Sequence, residues 1–299
     1  MHSSELDRLS TERPNPRTAD IDRLETLGVL ELLNDEDQRV APAVRAALPS
    51  IGRAVDLTLE RWQRGGRVVL FGAGTSGRLT MLDAAELPPT FGVPADRYLA
   101  RMAGSSSAFA AAVEGAEDDR QAGAAAAADL SAIDVAVGVA ASGRTPWVLG
   151  ALERARSVGA LCVGLACVAR PALAEYVDVS IEVDTGPEAI AGSTRMKAGT
   201  AQKLVLNAFS TALMIRLGKV YGNLMVDVQA TNAKLRQRAV RLVAEAAGVE
   251  VPTAEAALSS AGGNVKVAIA ALRLGVSPET VAARLAAANG RLRVVLGET

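Results

Sequence analysis

An α/β fold built on a five-stranded parallel sheet flanked by helices, with a small all-helical appendage at the carboxyl end, is what this 299-residue chain predicts. Three observations carry that expectation. Arg67-Val-Val-Leu-Phe-Gly-Ala-Gly-Thr-Ser-Gly-Arg78 is an apolar strand running straight into a turn of glycines and hydroxyls. A second copy of the pattern follows, with Asp134-Val-Ala-Val-Gly-Val139 entering Ala140-Ala-Ser-Gly-Arg-Thr-Pro146. Short apolar runs then alternate with helical stretches through the whole middle of the chain, which is the pattern of a parallel sheet with helices on both faces.

Residues 1–20 are polar and carry Pro14 and Pro16, so they read as an extended arm. From Asp20, leucines and valines at three- and four-residue spacings predict two or three helices before the first strand. Strands are expected near 67–71, 98–102, 134–139, 161–165 and 177–183, with helices near 77–86, 107–128, 146–157 and 194–217. Pro146 suits the first turn of its helix, and Pro88-Pro89 reads as a terminator for the helix that the first turn opens. A long helix is expected from about Val226 to Ala247, then a tail from 251 to 299 of three short helical units. Thr253, Asn264 and Ser277 are the expected caps of those units.

Composition excludes several function classes. Lys and Arg number 32 against 33 Asp and Glu, so no long-range attraction draws nucleic acid or an anionic membrane, and any anion site is local. No run approaches the roughly 20 apolar residues of a membrane span. Met1-His-Ser-Ser-Glu-Leu-Asp lacks the basic and apolar regions of a signal peptide, so a cytoplasmic location is expected. The single histidine is His2, which rules out a His-dependent triad. Cys162 and Cys167 are the only cysteines, and their spacing reads as buried thiols rather than a redox or zinc pair. General acid and base work then falls to carboxylates.

Both turns are built to hold a phosphate, because glycines let the backbone approach an anion and the helix beyond aims unpaired amides at it. Gly72-Ala-Gly-Thr-Ser-Gly77 also matches the dinucleotide fingerprint, yet the second strand ends Leu99-Ala-Arg-Met102 without the acidic residue that binds a ribose. An arginine there keeps an NADP-binding oxidoreductase open as an alternative. A nucleoside triphosphate loop fits worse, since Arg78-Leu79 stands where Lys-Ser or Lys-Thr is required. A third polar run, Gly192-Ser-Thr-Arg-Met-Lys-Ala-Gly-Thr200, places hydroxyls and two cations just before a long apolar helix, with Glu188 six residues upstream of Thr194. Asp83-Ala-Ala-Glu86 and Glu114-Gly-Ala-Glu117-Asp118-Asp119 supply carboxylates; by composition alone the second run is a solvated helix start.

Several blocks resemble the N-acetylmuramic acid 6-phosphate etherase family, on the sugar isomerase (SIS) fold, which is Rossmann-like. They are Asn34-Asp-Glu-Asp37, Gly72 to Arg78, Pro88-Pro-Thr-Phe-Gly92, Val113 to Asp118, Ala140 to Pro146, Gly192 to Asn207 and Gly218 to Asp227. Together they span about residues 10 to 245. The resemblance implies an SIS domain, placed with its flanking helices over 21–247, and the helical pattern beyond it reads as a small separate domain over 251–299. It also implies a carbon–oxygen lyase that cleaves the D-lactyl ether of N-acetylmuramic acid 6-phosphate. A related regulatory branch binds sugar phosphates without catalysis, so a non-enzyme alternative stays open. The family more often has Ser at Ala85, and Ser-Cys-Asn where this chain reads Ala166-Cys-Val168.

By resemblance, Glu86 is the proton donor to the lactate oxygen and Glu117 the base that takes the C2 proton, which the C1 aldehyde of the opened sugar acidifies. The phosphate-binding set would be Thr75, Ser76, Gly77, Arg78, Ser142, Gly143 and Thr145, with Ser193, Thr194 and Lys197 closing the site. No metal and no organic cofactor are implied. The expected partner, besides the sugar phosphate, is a second copy of the chain in a homodimer.

Overall fold

Near-continuous apolar runs make the strands. Val68-Val-Leu-Phe-Gly72 (β1), Val135–Val139 (β3) and Leu161–Ala166 (β4) are buried at every residue, as strands covered on both faces must be. Tyr98–Met102 (β2) and Val179–Glu182 (β5) are the edges, and the five run parallel in the order β2-β1-β3-β4-β5. Val68 stands beside Tyr98 on one side and Val135 on the other, Val135 beside Leu161, and Val163 beside Val179. The expected sheet is therefore present with all five strands. Its order reverses between β1 and β3, so the turns after those two strands flank the crevice where open parallel sheets bind ligands.

The structure is a computed structural model that describes residues 9–105, 107–111, 113–228 and 233–298. His2 lies outside them. By its contacts the chain divides into two units, Met1–Ala85 with Asp96–Ser210, and Glu86–Ala95 with Thr211–Thr299.

The first unit carries the sheet. Three helices precede β1: Thr26–Asp37 (α1), Val40–Ala46 (α2) and Leu48–Gln63 (α3). Ahead of them, within the arm expected over 1–20, residues 10–12 and 16–18 form short 3₁₀ turns. These turns are pinned to their own unit, since Gly192 N donates to Thr11 O at 3.1 Å and Thr18 Oγ1 to Ala189 O at 2.8 Å.

Gly74–Phe91 (α4) follows β1 and contains Pro88 and Pro89 rather than ending before them. A proline ring accepts helical φ, and the loss is confined to two amide donors, those that would have served the carbonyls of Ala84 and Ala85. Asp83 fixes the first part of α4, accepting from Tyr98 Oη at 2.8 Å and from Ser210 Oγ at 3.1 Å in a buried cluster.

The helix expected over 107–128 is broken into Ser107–Ala110 (α5) and Arg120–Ala126 (α6). Between them Gly115 takes φ +71° and Asp119 caps α6 by accepting from Ala122 N at 2.9 Å. Such a turn stops helical propagation despite the alanines around it. Pro146–Ser157 (α7) starts at its proline as expected, and Trp147 packs against Phe71 with ring centroids 6.1 Å apart. Lys197–Arg216 (α8) is the long apolar helix after the third polar run.

In the second unit the helix expected from about Val226 is not formed at 226–228, and among the described residues it spans Ala233–Ala247 (α9). Before it lies a hairpin of Val220–Tyr221 (β6) and Leu224–Met225 (β7), turned by Gly222 at φ +58°. The tail holds four helices rather than three: Val251–Ser260 (α10), Val265–Leu274 (α11), Pro278–Ala287 (α12) and Leu292–Leu296 (α13). Asn264 and Ser277 cap α11 and α12. Thr253 does not cap α10, because Pro252 sits inside the first turn and moves the cap position back to Glu250. Val226, Leu242, Val243, Ile269, Leu285 and Leu292 form this unit's core. Lys219 and Lys266 converge on Asp227 at 2.9 and 2.7 Å, fastening the hairpin end to α11.

Candidate active site

Strand β1 delivers its chain to α4 through a contact that tolerates no side chain. A methyl on Gly72 would meet Gly77 N at 2.7 Å, and one on Gly77 would meet Gly72 O at 2.9 Å. The turn is thus pressed onto the strand end, and Thr75 and Ser76 fall in the first turn of α4, where amides are unpaired and the helix dipole is positive. Gly77 builds this approach and does not line the cavity.

The second turn is braced from behind. Gly143 takes φ +68° with Pro171 so near that a Cβ would stand 2.3 Å from its ring, and Leu173 N donates to Gly143 O at 2.9 Å. Cys167 N donates to Ala141 O at 2.9 Å. Ala166, Cys167 and Val168, where the chain departs from the family's pattern, are buried behind this turn. Ser142 Oγ accepts from Arg144 N at 3.3 Å, closing the turn on itself.

Both turns open onto one cavity of about 280 Å³. Thr75, Ser76, Ser142, Thr145, Thr194 and Glu117 line it, so six of the residues expected from sequence are brought together. Glu117 sits on the turn before α6. Its backbone carbonyl accepts from Trp147 N at 3.0 Å, which ties it to the start of α7, and its Oε2 stands 4.0 Å from where a Gly74 Cβ would be. Glu12, Asp118 and Arg144 line the same cavity and were not singled out from the sequence. Glu12 in particular has no local signal, being more than 60 positions from either turn and delivered only by the pinned 3₁₀ segment.

Other expected residues are placed elsewhere. Arg78 donates to the carbonyls of Phe109 at 2.9 Å and Ala108 at 3.0 Å, holding α5. Ser193 belongs to the turn before α8, its amide donating to Ile190 O at 3.0 Å. Lys197 is 1% exposed and pairs with Glu36 at 2.5 Å, so its ammonium is spent on a buried partner. Glu86 lies on the segment 86–95 of the second unit, is exposed, and is not in the lining of this cavity. Arg101, the residue that kept a phosphorylated dinucleotide open, pairs with Asp129 at the end of β2.

The third run is a helix start held by buried carboxylates. Glu188 accepts from the amides of Lys197 and Ala198, each at 2.9 Å, and so caps α8 from nine residues upstream. Burial pushes its carboxyl above the usual range, while those amides and the Lys197 charge pull the other way. Glu36 accepts from Arg17, Asn15 and Lys197, and the Arg17 guanidinium foremost holds its carboxyl down at about 2. Burial pushes the Cys162 thiol up to about 12 and the Cys167 thiol higher, so neither is a nucleophile. Among the described residues no group of three or more His, Cys, Asp or Glu side chains is arranged to hold a metal ion. Nor is any described helix long and apolar enough to cross a membrane.

Hydroxyls, helix-start amides and a carboxylate around one small cavity can hold an anion and move a proton a few ångströms from it. Residues 50–156 match the family of the glucokinase regulatory protein N-terminal SIS domain. In fold the chain is similar to a phosphoheptose isomerase from Francisella tularensis, with a TM-score of 0.52 at 18% identity, over 64% of this chain and 100% of that one. It is 52% identical over 295 residues to an N-acetylmuramic acid 6-phosphate etherase of Mycolicibacterium smegmatis, covering 98% of this chain and 99% of the relative. An etherase of the same name from Streptomyces avermitilis is 51% identical, covering 98% of this chain and 95% of that one. By that degree and extent of identity, joined to the SIS-type sheet and its paired turns, the chain belongs to the N-acetylmuramic acid 6-phosphate etherase family.

Proposed function

We propose that this chain is a carbon–oxygen lyase that cleaves the D-lactyl ether of N-acetylmuramic acid 6-phosphate, yielding N-acetylglucosamine 6-phosphate and D-lactate in amino sugar recycling. The observation that carries the reading is the meeting of Glu117 with the hydroxyls of both turns in one cavity. Thr75, Ser76, Ser142, Thr145 and Thr194 hold the 6-phosphate, with the free amides at the start of α4 adding to the anion's stabilisation.

Glu117 then takes the C2 proton of the ring-opened sugar. The C2–H electron pair becomes the C2=C3 bond as the C3–O bond breaks, and Glu86 gives a proton to the departing lactate oxygen. Water adds across the new double bond and restores a hydroxyl at C3. Each proton transfer of this kind contributes roughly 10²–10⁴ in rate.

The working assembly in this reading is a homodimer whose two copies both contribute residues to the pocket. The reaction is assigned to the cytoplasm, where phosphorylated sugars are handled.

Incubation of the purified protein with N-acetylmuramic acid 6-phosphate is expected to release lactate. Glu117→Gln is expected to abolish exchange of the C2 proton with solvent while sparing sugar phosphate binding. A wild-type protein that binds the sugar phosphate but releases no lactate favours the regulatory reading, which the match to the glucokinase regulatory protein's SIS domain supports.

A further inference from the structure

The substrate proposed above is anionic at two ends, the 6-phosphate and the carboxylate of the lactyl ether, and the cavity so far described suits only one of them. Its lining already contains Glu12, Glu117 and Asp118 against a single cation, Arg144. A further carboxylate placed there would face like charges, and such juxtapositions are what binding sites avoid.

On the other side of Thr75 lies a second cavity of about 310 Å³, lined by Thr75, Leu79, Arg195, Thr200, Lys203 and Leu204 with the backbone of Gly199. It adjoins the first, because Thr75 lines both and because the consecutive residues Thr194 and Arg195 line one each. Its lining has two cations and no acid. Arg195 is exposed and makes no hydrogen bond or ion pair among the described residues, unlike Arg67, Arg101 and Arg120, which all pair with carboxylates.

We propose that Arg195 and Lys203 form the subsite for the lactyl carboxylate and thereby decide that the muramic, not the glucosamine, 6-phosphate is the preferred ligand. This rests on the etherase reading. A guanidinium fork meets a carboxylate through two parallel hydrogen bonds, and an ammonium beside it adds charge. Leu79 and Leu204 give the lactyl methyl an apolar wall next to the cations. Once the C3–O bond breaks, the sugar keeps its phosphate anchor and loses this one, so product is held less tightly than substrate.

The test uses the full chain and two sugar phosphates that differ only in the lactyl group. In lactate-release assays, Arg195→Gln is expected to raise the KM for N-acetylmuramic acid 6-phosphate by roughly tenfold or more. The inhibition constant of N-acetylglucosamine 6-phosphate should stay within about twofold, which also shows that the variant is folded. Adding Lys203→Gln should deepen the KM effect, and Arg195→Lys should recover part of it. If both constants rise together, the cations hold the phosphate and the proposal falls; if neither moves, they touch no substrate and it falls equally. Calorimetric binding of both ligands in a Glu117→Gln background gives the same contrast without turnover. A wild type that releases no lactate therefore defeats the etherase reading alone, and a preference for the muramic ligand that survives Arg195→Gln in the calorimetry defeats this one.

Discussion

The turn at 72–78 and the polar run at 192–200 look alike in sequence, each offering hydroxyls and glycines at the start of a helix, with one cation in the first and two in the second. In the fold they do different work. The first presents Thr75 and Ser76 to a cavity and sends its cation, Arg78, to hold α5. The second gives Thr194 to that cavity but turns Lys197 inward onto Glu36, with Glu188 capping the helix beneath it. A cation at a helix start binds ligand only where the fold has not already supplied its counter-charge. At Lys197 the counter-charge comes from Glu36, 161 positions away.

Breaking that buried pair gives the largest expected effect. Lys197→Ala should destabilise the protein by about 3–5 kcal/mol in denaturant unfolding, since Glu36 is left buried and short of a partner. A fall in sugar phosphate affinity with unchanged stability would instead return Lys197 to the ligand. Next comes the brace of the second turn. Gly143→Ala forces a side chain into a left-handed position and against Pro171, and should cost about 2–4 kcal/mol.

The same network predicts an acid limit. Glu36 has its carboxyl held at about 2 against an ordinary 4.5, so its contribution is complete above pH 4.5 and is lost as pH falls toward 2. Stability measured across that window should fall less steeply in Glu36→Gln, from a lower starting value. At the first turn the balance inverts: Thr75→Val should weaken sugar phosphate binding by roughly tenfold while shifting stability by no more than about 0.5 kcal/mol. The smallest effect is a null one. Iodoacetamide should label neither Cys162 nor Cys167 in the folded protein, because both thiols are buried and their thiolates disfavoured.

The sheet was legible because β1, β3 and β4 are buried on both faces and so must be apolar throughout. The paired turns were legible because close backbone approach needs glycine, and Gly72 with Gly77 shows that need directly. The break between α5 and α6 was not, since the alanines after Arg120 favour helix and only Gly115 with the Asp119 cap opposes them. Nor was the passage of α4 through Pro88-Pro89, which local rules read as a stop. Glu12 escaped notice because it stands in no motif, and Arg195, though inside the third polar run, carries no role of its own in the sequence; each gains meaning from a cavity that distant segments enclose.

The sequence by itself determined the parallel α/β sheet, the two turns at its strand ends and membership of the etherase family, because periodicity, glycine and block identity are properties of neighbouring residues. The tertiary structure alone decided which polar groups face a cavity and which neutralise one another. Glu36 with Lys197, Glu188 with the amides of α8, and Arg101 with Asp129 are satisfied inside the fold, whereas Glu117 and the hydroxyls of both turns are aimed into a cavity. Burying a charge demands a partner wherever the chain can bring one, and where that partner comes from is settled only when segments far apart in sequence meet.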